Sequence, residues 1–307
     1  MTRIRRAAAV AAIVAGLAPM AKAAPVPADP AERCRGLLEI VAQAAGIATP
    51  AAGTVQPLGS DGCRYAELRV DLGPGRSWTV GSLSADRLDF ARIYQDRRLE
   101  AASLRAKDVR LKDTAVTAAL GPGPVRFDAA LDYRWDAATG EVEVASLSLS
   151  GPGLGEMVLS NRRGNVQAQA FSLDFGSRFP VLAVIGAGDL TALSLRFRDD
   201  GIVDRILTAG ARGLADKDPG TTEAERKAAL HQALQNQMAS ISAGGWLPEA
   251  VVTPLQAFAR DVPAPRPITL TAAPTGTVPM PALLFGEDAG NAMPEELFRR
   301  LNLAVTY

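Results

Sequence analysis

Residues 127–150 read FDAALDYRWDAATGEVEVASLSLS, and this stretch decides the fold. Phe127, Ala129, Leu131, Tyr133 and Trp135 alternate with Asp128, Asp132, Arg134 and Asp136. A period of two places the apolar set on one face of a strand and most of the charge on the other. The turn 136–140, DAATG, follows, and its Gly140 supplies the positive φ that a short hairpin connection needs. Alternation resumes from Val142 to Leu149. The stretch therefore predicts a long antiparallel hairpin. The bulky members of its apolar face, Phe127, Leu131, Tyr133 and Trp135, are the candidate ligand-binding residues.

Working outward, segments 64–72, 77–83 and 103–111 also alternate and predict strands. Two more strands are expected near 156–161 and 165–175, meeting at a turn over Asn161–Asn165, and another at 190–198. A faint repeat runs through this region: Ala102-Ser103-Leu104, Ala145-Ser146-Leu147 and Leu193-Ser194-Leu195 recur every 40–50 residues. Stacked hairpins of one extended sheet would give such a period. Chance recurrence in a chain rich in alanine, serine and leucine would give it too.

Helical patterns flank this core. Residues 30–48 predict a helix, with Asp29 as cap, Pro30 in the first turn, and Leu37, Leu38, Val41 and Ala45 on one side. From 199 onward three more helices are expected. The first carries Ile202, Ile206 and Leu207. The second starts with a Thr222–Glu225 capping box and carries Leu230, Leu234, Met238 and Ile241 as a stripe, and the third starts at Pro248. A strand in 267–275, a short helix over Pro294–Arg300 and a last strand in 301–307 complete the order. The expected fold class is α+β, a mostly antiparallel sheet built from hairpins, with an N-terminal helix and a C-terminal group of helices. Residues 24–307 are read as a single domain, with 30–198 and 199–307 as its lobes.

The N-terminus reads MTRIRRAAAVAAIVAGLAPMAKAAP: three arginines, a short apolar stretch from Ala7 to Met20, then Ala21-Lys22-Ala23. That is the pattern of a secretory signal peptide over 1–23, cleaved after Ala23, and the apolar stretch is too short to span a bilayer. No cysteine follows the expected cleavage point, so lipid attachment there is not expected. The chain holds 56 alanines and favours arginine over lysine 28 to 5, as GC-rich bacterial genomes do. Together these predict Sec export to the periplasm. In that oxidising compartment Cys34 and Cys63 are expected to form a structural disulfide, closing a loop that contributes roughly 3–4 kcal/mol.

Charge excludes one class of function. The chain has 33 basic and 33 acidic residues. Without Arg3, Arg5, Arg6 and Lys22 of the signal segment, 29 basic against 33 acidic side chains remain, a net −4. No nucleic acid is therefore expected as a partner, since affinity for it comes from a basic surface. General attraction to anionic membranes is not expected either.

Catalytic signatures are sparse. The chain has no G-x-S-x-G, no phosphate-binding G-x-x-x-x-G-K-[ST] and no H-E-x-x-H. His231, the one histidine, lies beside an apolar helical stripe and has no partners for a triad, and no metal or cofactor is expected. Residues 151–156, GPGLGE, lie between strands and read as a tight turn. Asp128, Asp132 and Asp136 share one strand face; they are the candidates for a carboxylate-dependent hydrolase or, read more simply, a solvated outer face. The uncharged run Phe179–Ala187 is too short to span a membrane and is read as a buried segment or a lipid-contacting edge. Leu301, Leu303, Val305 and Tyr307 end the chain in the manner of an outer-membrane barrel strand, but 5% aromatic residues are too few for two aromatic girdles.

Residues 190–307 carry LSLRFRDDGIVDRIL (193–207), EAERKAALHQALQNQ (223–237), PLQAFARD (254–261), PITLTAAPTGTVPMPALL (267–284) and LNLAVTY (301–307). In element order and chemistry this third of the chain resembles AsmA-like bacterial envelope proteins. The resemblance implies a β-rich sheet with a hydrophobic inner face and a role in envelope lipid homeostasis or outer-membrane assembly. It names no functional residue. Against that resemblance, the chain as given is much shorter, and no transmembrane anchor is expected in it. The expected function is that of an exported, non-enzymatic periplasmic protein serving envelope maintenance. Its expected partner is an apolar ligand such as a lipid, or an envelope protein, with no integral membrane span after cleavage. The alternatives are a secreted carboxylate-dependent hydrolase and an outer-membrane-associated assembly protein.

Overall fold

A computed structural model describes residues 24–45, 47–71, 73, 75–112, 120, 125–167, 187–215, 219–243, 247–262, 266–280 and 299–307. The signal segment 1–23 lies outside them. So do most of the expected 165–175 strand, the apolar run except Ala187, and most of the expected 294–300 helix.

Among the described residues, helix α1 (Pro30–Ala45) precedes β1 (Thr54–Leu58), β2 (Gly62–Asp71), β3 (Ser77–Asp86) and β4 (Ala101–Lys112). The deciding hairpin is β5 (Val125–Asp136) and β6 (Glu141–Gly151), followed by β7 (Gly155–Gly164) and β8 (Asp189–Asp199). Helices α2 (Ile202–Gly213), α3 (Glu223–Ala243) and α4 (Glu249–Asp261) come next, then β9 (Ile268–Ala272), β10 (Val278–Pro279) and β11 (Leu303–Thr306). Eleven strands form one sheet in sequence order from β1 to β9, with β11 beside β9 and β10 paired to β8. Every pairing is antiparallel. The α+β class with hairpin-built sheet and flanking helices holds. Among the described residues the path has two ends, so these strands form an open sheet with β1 and β11 at its edges.

One boundary differs from expectation. Strand β7 continues through the expected turn at Asn161 to Gly164, and the chain bends instead at Asn165, with φ of 56°. Asn161 to Gly164 are paired to β8, so the first four residues of the polar cluster NRRGN that resembles a turn are ladder.

Register explains the faint repeat. Leu104 stands opposite Leu131, Leu131 opposite Leu147, Leu147 opposite Leu159, Leu159 opposite Leu195 and Leu195 opposite Leu270. Leu104, Leu147 and Leu195 are the three leucines of the repeat. They sit on β4, β6 and β8, and form one continuous row with leucines from the strands between. Six strands at about 4.8 Å spacing make this row about 24 Å long.

Breaks in the ladder keep the row on one face. The register slips at Ala106/Val109 on β4, between Val144 and Leu147 on β6, and at Arg162/Arg163 opposite β8. An extra residue at each slip restores the alternation, and such bulges add local twist. Gly81 belongs to this device, because a Cβ there would come within 3.0 Å of the Asp108 Cβ, and Asp108 itself has φ of 54°.

The two ends of the sheet are sealed differently. At the first, Cys34 on α1 is bonded to Cys63 on β2, and the Tyr65 hydroxyl donates to the Cys34 carbonyl at 2.8 Å. Leu37, Ile40, Leu88, Phe90, Ile93 and Tyr94 close over β2–β4 in the largest buried cluster. At the other end α4 lies on β9 and β11, burying Val251 against Ile268 and Val305. Phe258 stacks edge-on with both Phe197 and Tyr307. Helix α3 packs between α2 and α4. Its N-terminus carries the expected capping box: the Thr222 hydroxyl accepts from the Glu225 N–H, and Glu225 accepts from the Thr222 N–H at 2.7 Å.

Candidate functional site

Between the sealed ends lies a stretch of apolar sheet that the main helix contacts do not reach. Those contacts fall on β1, β2, β9 and β11. On β5–β8 Leu131, Leu147, Leu159 and Leu195 are part-buried and belong to no buried cluster of the described residues. A second row of the same face runs Ala129, Leu149, Met157, Phe197 and Ile268. A third runs Tyr133, Val144, Asn161, Leu193 and Ala272. A fourth, Trp135, Val142, Arg163, Leu190 and Val278, is buried under Val166, Ala187 and Met280. Among the described residues, the face is thus closed along one margin and part-buried over three rows of β5–β8.

The four candidate residues divide between these zones. Leu131 stands in the leucine row. Phe127 packs on the margin of the α1 cluster. Tyr133 bridges that cluster and the Trp135 cluster, and its hydroxyl donates to the Leu99 carbonyl at 2.7 Å. Burial pushes the Tyr133 hydroxyl pKa far above its ordinary value, so it stays a neutral donor. Trp135 is 8% exposed and donates from Nε1 to the Val166 carbonyl at 3.2 Å, so it lines the sealed margin rather than the open rows. Leu147, Leu159 and Leu195, the centre of the open face, were not singled out by hairpin periodicity. For Leu147 and Leu195 the faint repeat was the signal; Leu159 lies outside it.

The opposite face is polar and cross-linked by charge. Arg134 on β5, Glu143 on β6 and Arg162 on β7 stand opposite one another, with Glu143 held 2.8 Å from Arg134 and 3.3 Å from Arg162. Arg162 and then Arg134 hold the Glu143 carboxyl below its usual range. Of the three hydrolase candidates, Asp128 bonds Lys107 at 2.8 Å and accepts the Asp108 N–H at 2.9 Å, which hold its carboxyl below the usual range. Asp132 is paired with Arg87, and Asp136 caps the hairpin turn through the Ala138 N–H at 2.8 Å. A general acid needs a raised pKa, and Asp128 is shifted the other way. These aspartates make the solvated outer face.

His231 ties two helices together, its Nε2 lying 2.9 Å from the Ala259 carbonyl and 3.4 Å from Gln235. Among the described residues no helix is long and apolar enough to cross a membrane. Nor is any group of three His, Cys, Asp or Glu side chains placed among them to hold a metal.

Compared with known proteins, the chain matches no curated protein and no solved structure. One family model, described as "Uncharacterized protein", matches residues 144–307. The match takes in most of β6, β7–β11, all three C-terminal helices and four of the six leucines of the row, and excludes the disulfide-stapled end. Since it covers just over half of the 307 residues, the chain belongs to that family.

Proposed function

We propose that this is an exported, non-enzymatic periplasmic binding protein that holds an apolar ligand of lipid type against the open face of β5–β8 in the service of envelope maintenance. The observation that carries the reading is the leucine row. Six leucines in register across six strands are buried at neither end of the row's centre by a described helix, while both flanks of the same face are sealed. A contiguous apolar surface of this kind marks a binding site in a water-soluble protein. The Cys34–Cys63 disulfide supports the export reading, since structural disulfides persist in oxidising compartments.

The test is native mass spectrometry of protein prepared from periplasm without detergent, followed by solvent extraction. The reading expects a co-purified apolar molecule and its loss from a Leu147→Asp/Leu195→Asp variant that still melts cooperatively. A clean apo mass, together with no uptake of an added monoacylglycerol, would end it.

A further inference from the structure

The near-zero net charge conceals a local excess of cations on the polar face. Along β4 the residues turned away from the apolar rows are Arg105, Lys107, Arg110 and Lys112, and along β2 Arg64 and Arg69 face the same way. All six are exposed. The strand between them, β3, turns only short side chains to this face: Ser77, Thr79, Ser82 and Ser84. Register sets these residues in rows, Arg64–Ser84–Arg105, Ala66–Ser82–Lys107, Arg69–Thr79–Arg110 and Asp71–Ser77–Lys112. A strip of hydroxyls is thereby walled on both sides by long cationic side chains. From Ser84 to Ser77 it runs about 23 Å, and its walls stand two strand spacings apart, about 10 Å.

The acids nearby do not neutralise this trough. Asp108 is shared between Arg110 at 2.8 Å and Arg126 at 2.6 Å, and Asp128 pairs with Lys107 at 2.8 Å. The Glu67 carboxylate lies over Gly53, on the β1 side of β2, and Asp71 accepts the Gly73 N–H at 3.0 Å. Among the described residues Arg64, Arg69, Arg105 and Lys112 take part in no ion pair. On β5–β7 the same face is different, because Arg134 and Arg162 both answer Glu143.

Like charges held this close repel, and an anion lying between them relieves the repulsion. The walls are set for one extended chain, whereas a plane of lipid headgroups would meet only their tips. Tyr65, Trp78 and Phe127 all turn to the apolar face, so the trough offers no ring on which the bases of a single-stranded nucleic acid could stack. Its floor hydroxyls both donate and accept, as the hydroxyls of a sugar chain do. We infer that the β2–β4 trough binds a linear anionic polysaccharide, its acidic groups met by the Arg/Lys walls and its hydroxyls by the Ser/Thr floor. The trough lies on the face opposite the leucine row, and the inference is independent of the apolar-ligand reading.

The probe is polygalacturonate, with its fully methyl-esterified form as the uncharged chain of the same backbone. Titrated into the full-length protein at low ionic strength and followed by calorimetry, the polyanion should bind saturably and the ester about tenfold more weakly or not at all. Added salt should weaken binding of the polyanion. Arg64→Gln/Arg105→Gln discharges one row without breaking an ion pair, and should lower the affinity for polygalacturonate about tenfold while the melting temperature holds. Arg134→Gln, on the paired part of the same face, should leave that affinity unchanged. Equal binding of the ester, no saturable binding of the polyanion, or equal losses in the two variants would overturn the inference. Tighter binding of oligothymidylate or of phosphatidylglycerol vesicles would overturn it too, making the partner a nucleic acid or a membrane. Uptake of monoacylglycerol should be the same in Arg64→Gln/Arg105→Gln as in the wild-type protein, so the two faces fail or stand separately.

Discussion

Strands β2–β4 and strands β5–β8 follow the same alternating pattern, yet their apolar faces meet different fates. Over the first set, α1 and the Leu88–Tyr94 segment close a core in which Ile93, Cys63 and Ala102 have no exposure. Over the second, the corresponding leucines remain part-exposed. The backbone is continuous between them, so the difference lies in what each face is given to pack against. A covered face serves stability; on the proposed reading the part-open one serves binding. The same substitution should therefore have different consequences in the two regions.

Ile93→Ala probes the covered region most severely. It removes a side chain with 0% exposure, and the loss of transfer energy plus the cavity should lower stability by about 2–5 kcal/mol, read from denaturant melts. Breaking the staple should come close behind. Cys34→Ala/Cys63→Ala opens a 29-residue loop and should lower stability by about 3 kcal/mol, with reductant reproducing the loss in the wild-type protein. Leu147→Ala in the open region should cost about 1 kcal/mol, since its side chain is already in partial contact with water. It should, however, weaken uptake of an apolar probe, which Ile93→Ala should not. A loss at Leu147 as large as that at Ile93 would mean that the two faces are buried alike.

The smallest effect belongs to the polar face, which the two regions share. Asp128 and Glu143 have folded-state pKa values below their ordinary ones, 3.8 and 4.5, through Lys107 and Arg162 respectively. A carboxylate depressed on folding contributes stability that is present above the unfolded pKa and lost as pH falls through the folded one. Melting temperature should therefore hold from neutrality to about pH 5 and decline below the ordinary carboxylate range. Both groups are part-exposed, so the decline should be shallow and should flatten further in high salt. Probe binding, made by uncharged leucines, should not follow it.

How far the sequence foretold this depended on local order. The β5–β6 hairpin announced itself because all residues from Phe127 to Trp135 except Ala130 alternate and Gly140 turns the chain. The α3 start was legible for the same reason, since Thr222 and Glu225 lie within one turn. The course of β7 was not: Asn161, Arg162, Arg163, Gly164 and Asn165 have turn-like composition, and pairing to β8 overrides it. Trp135 could not be assigned to the sealed margin because what seals it, Val166 and Ala187, comes from outside the hairpin. The leucine row was visible only as a weak repeat. Its register depends on bulges near Asp108 and Ala145, and a period of two read along one strand says nothing about where its neighbour slips.

The most direct test of the central claim is to locate the ligand rather than detect it. A monoacylglycerol bearing a diazirine in its acyl chain, photolysed on the detergent-free protein and mapped by peptide mass spectrometry, reports the contact surface. The account predicts labelling concentrated on peptides that carry Leu131, Leu147, Leu159 and Leu195, competed away by unlabelled lipid. Labelling confined to α1, α2 or α3, or insensitive to competitor, would contradict it.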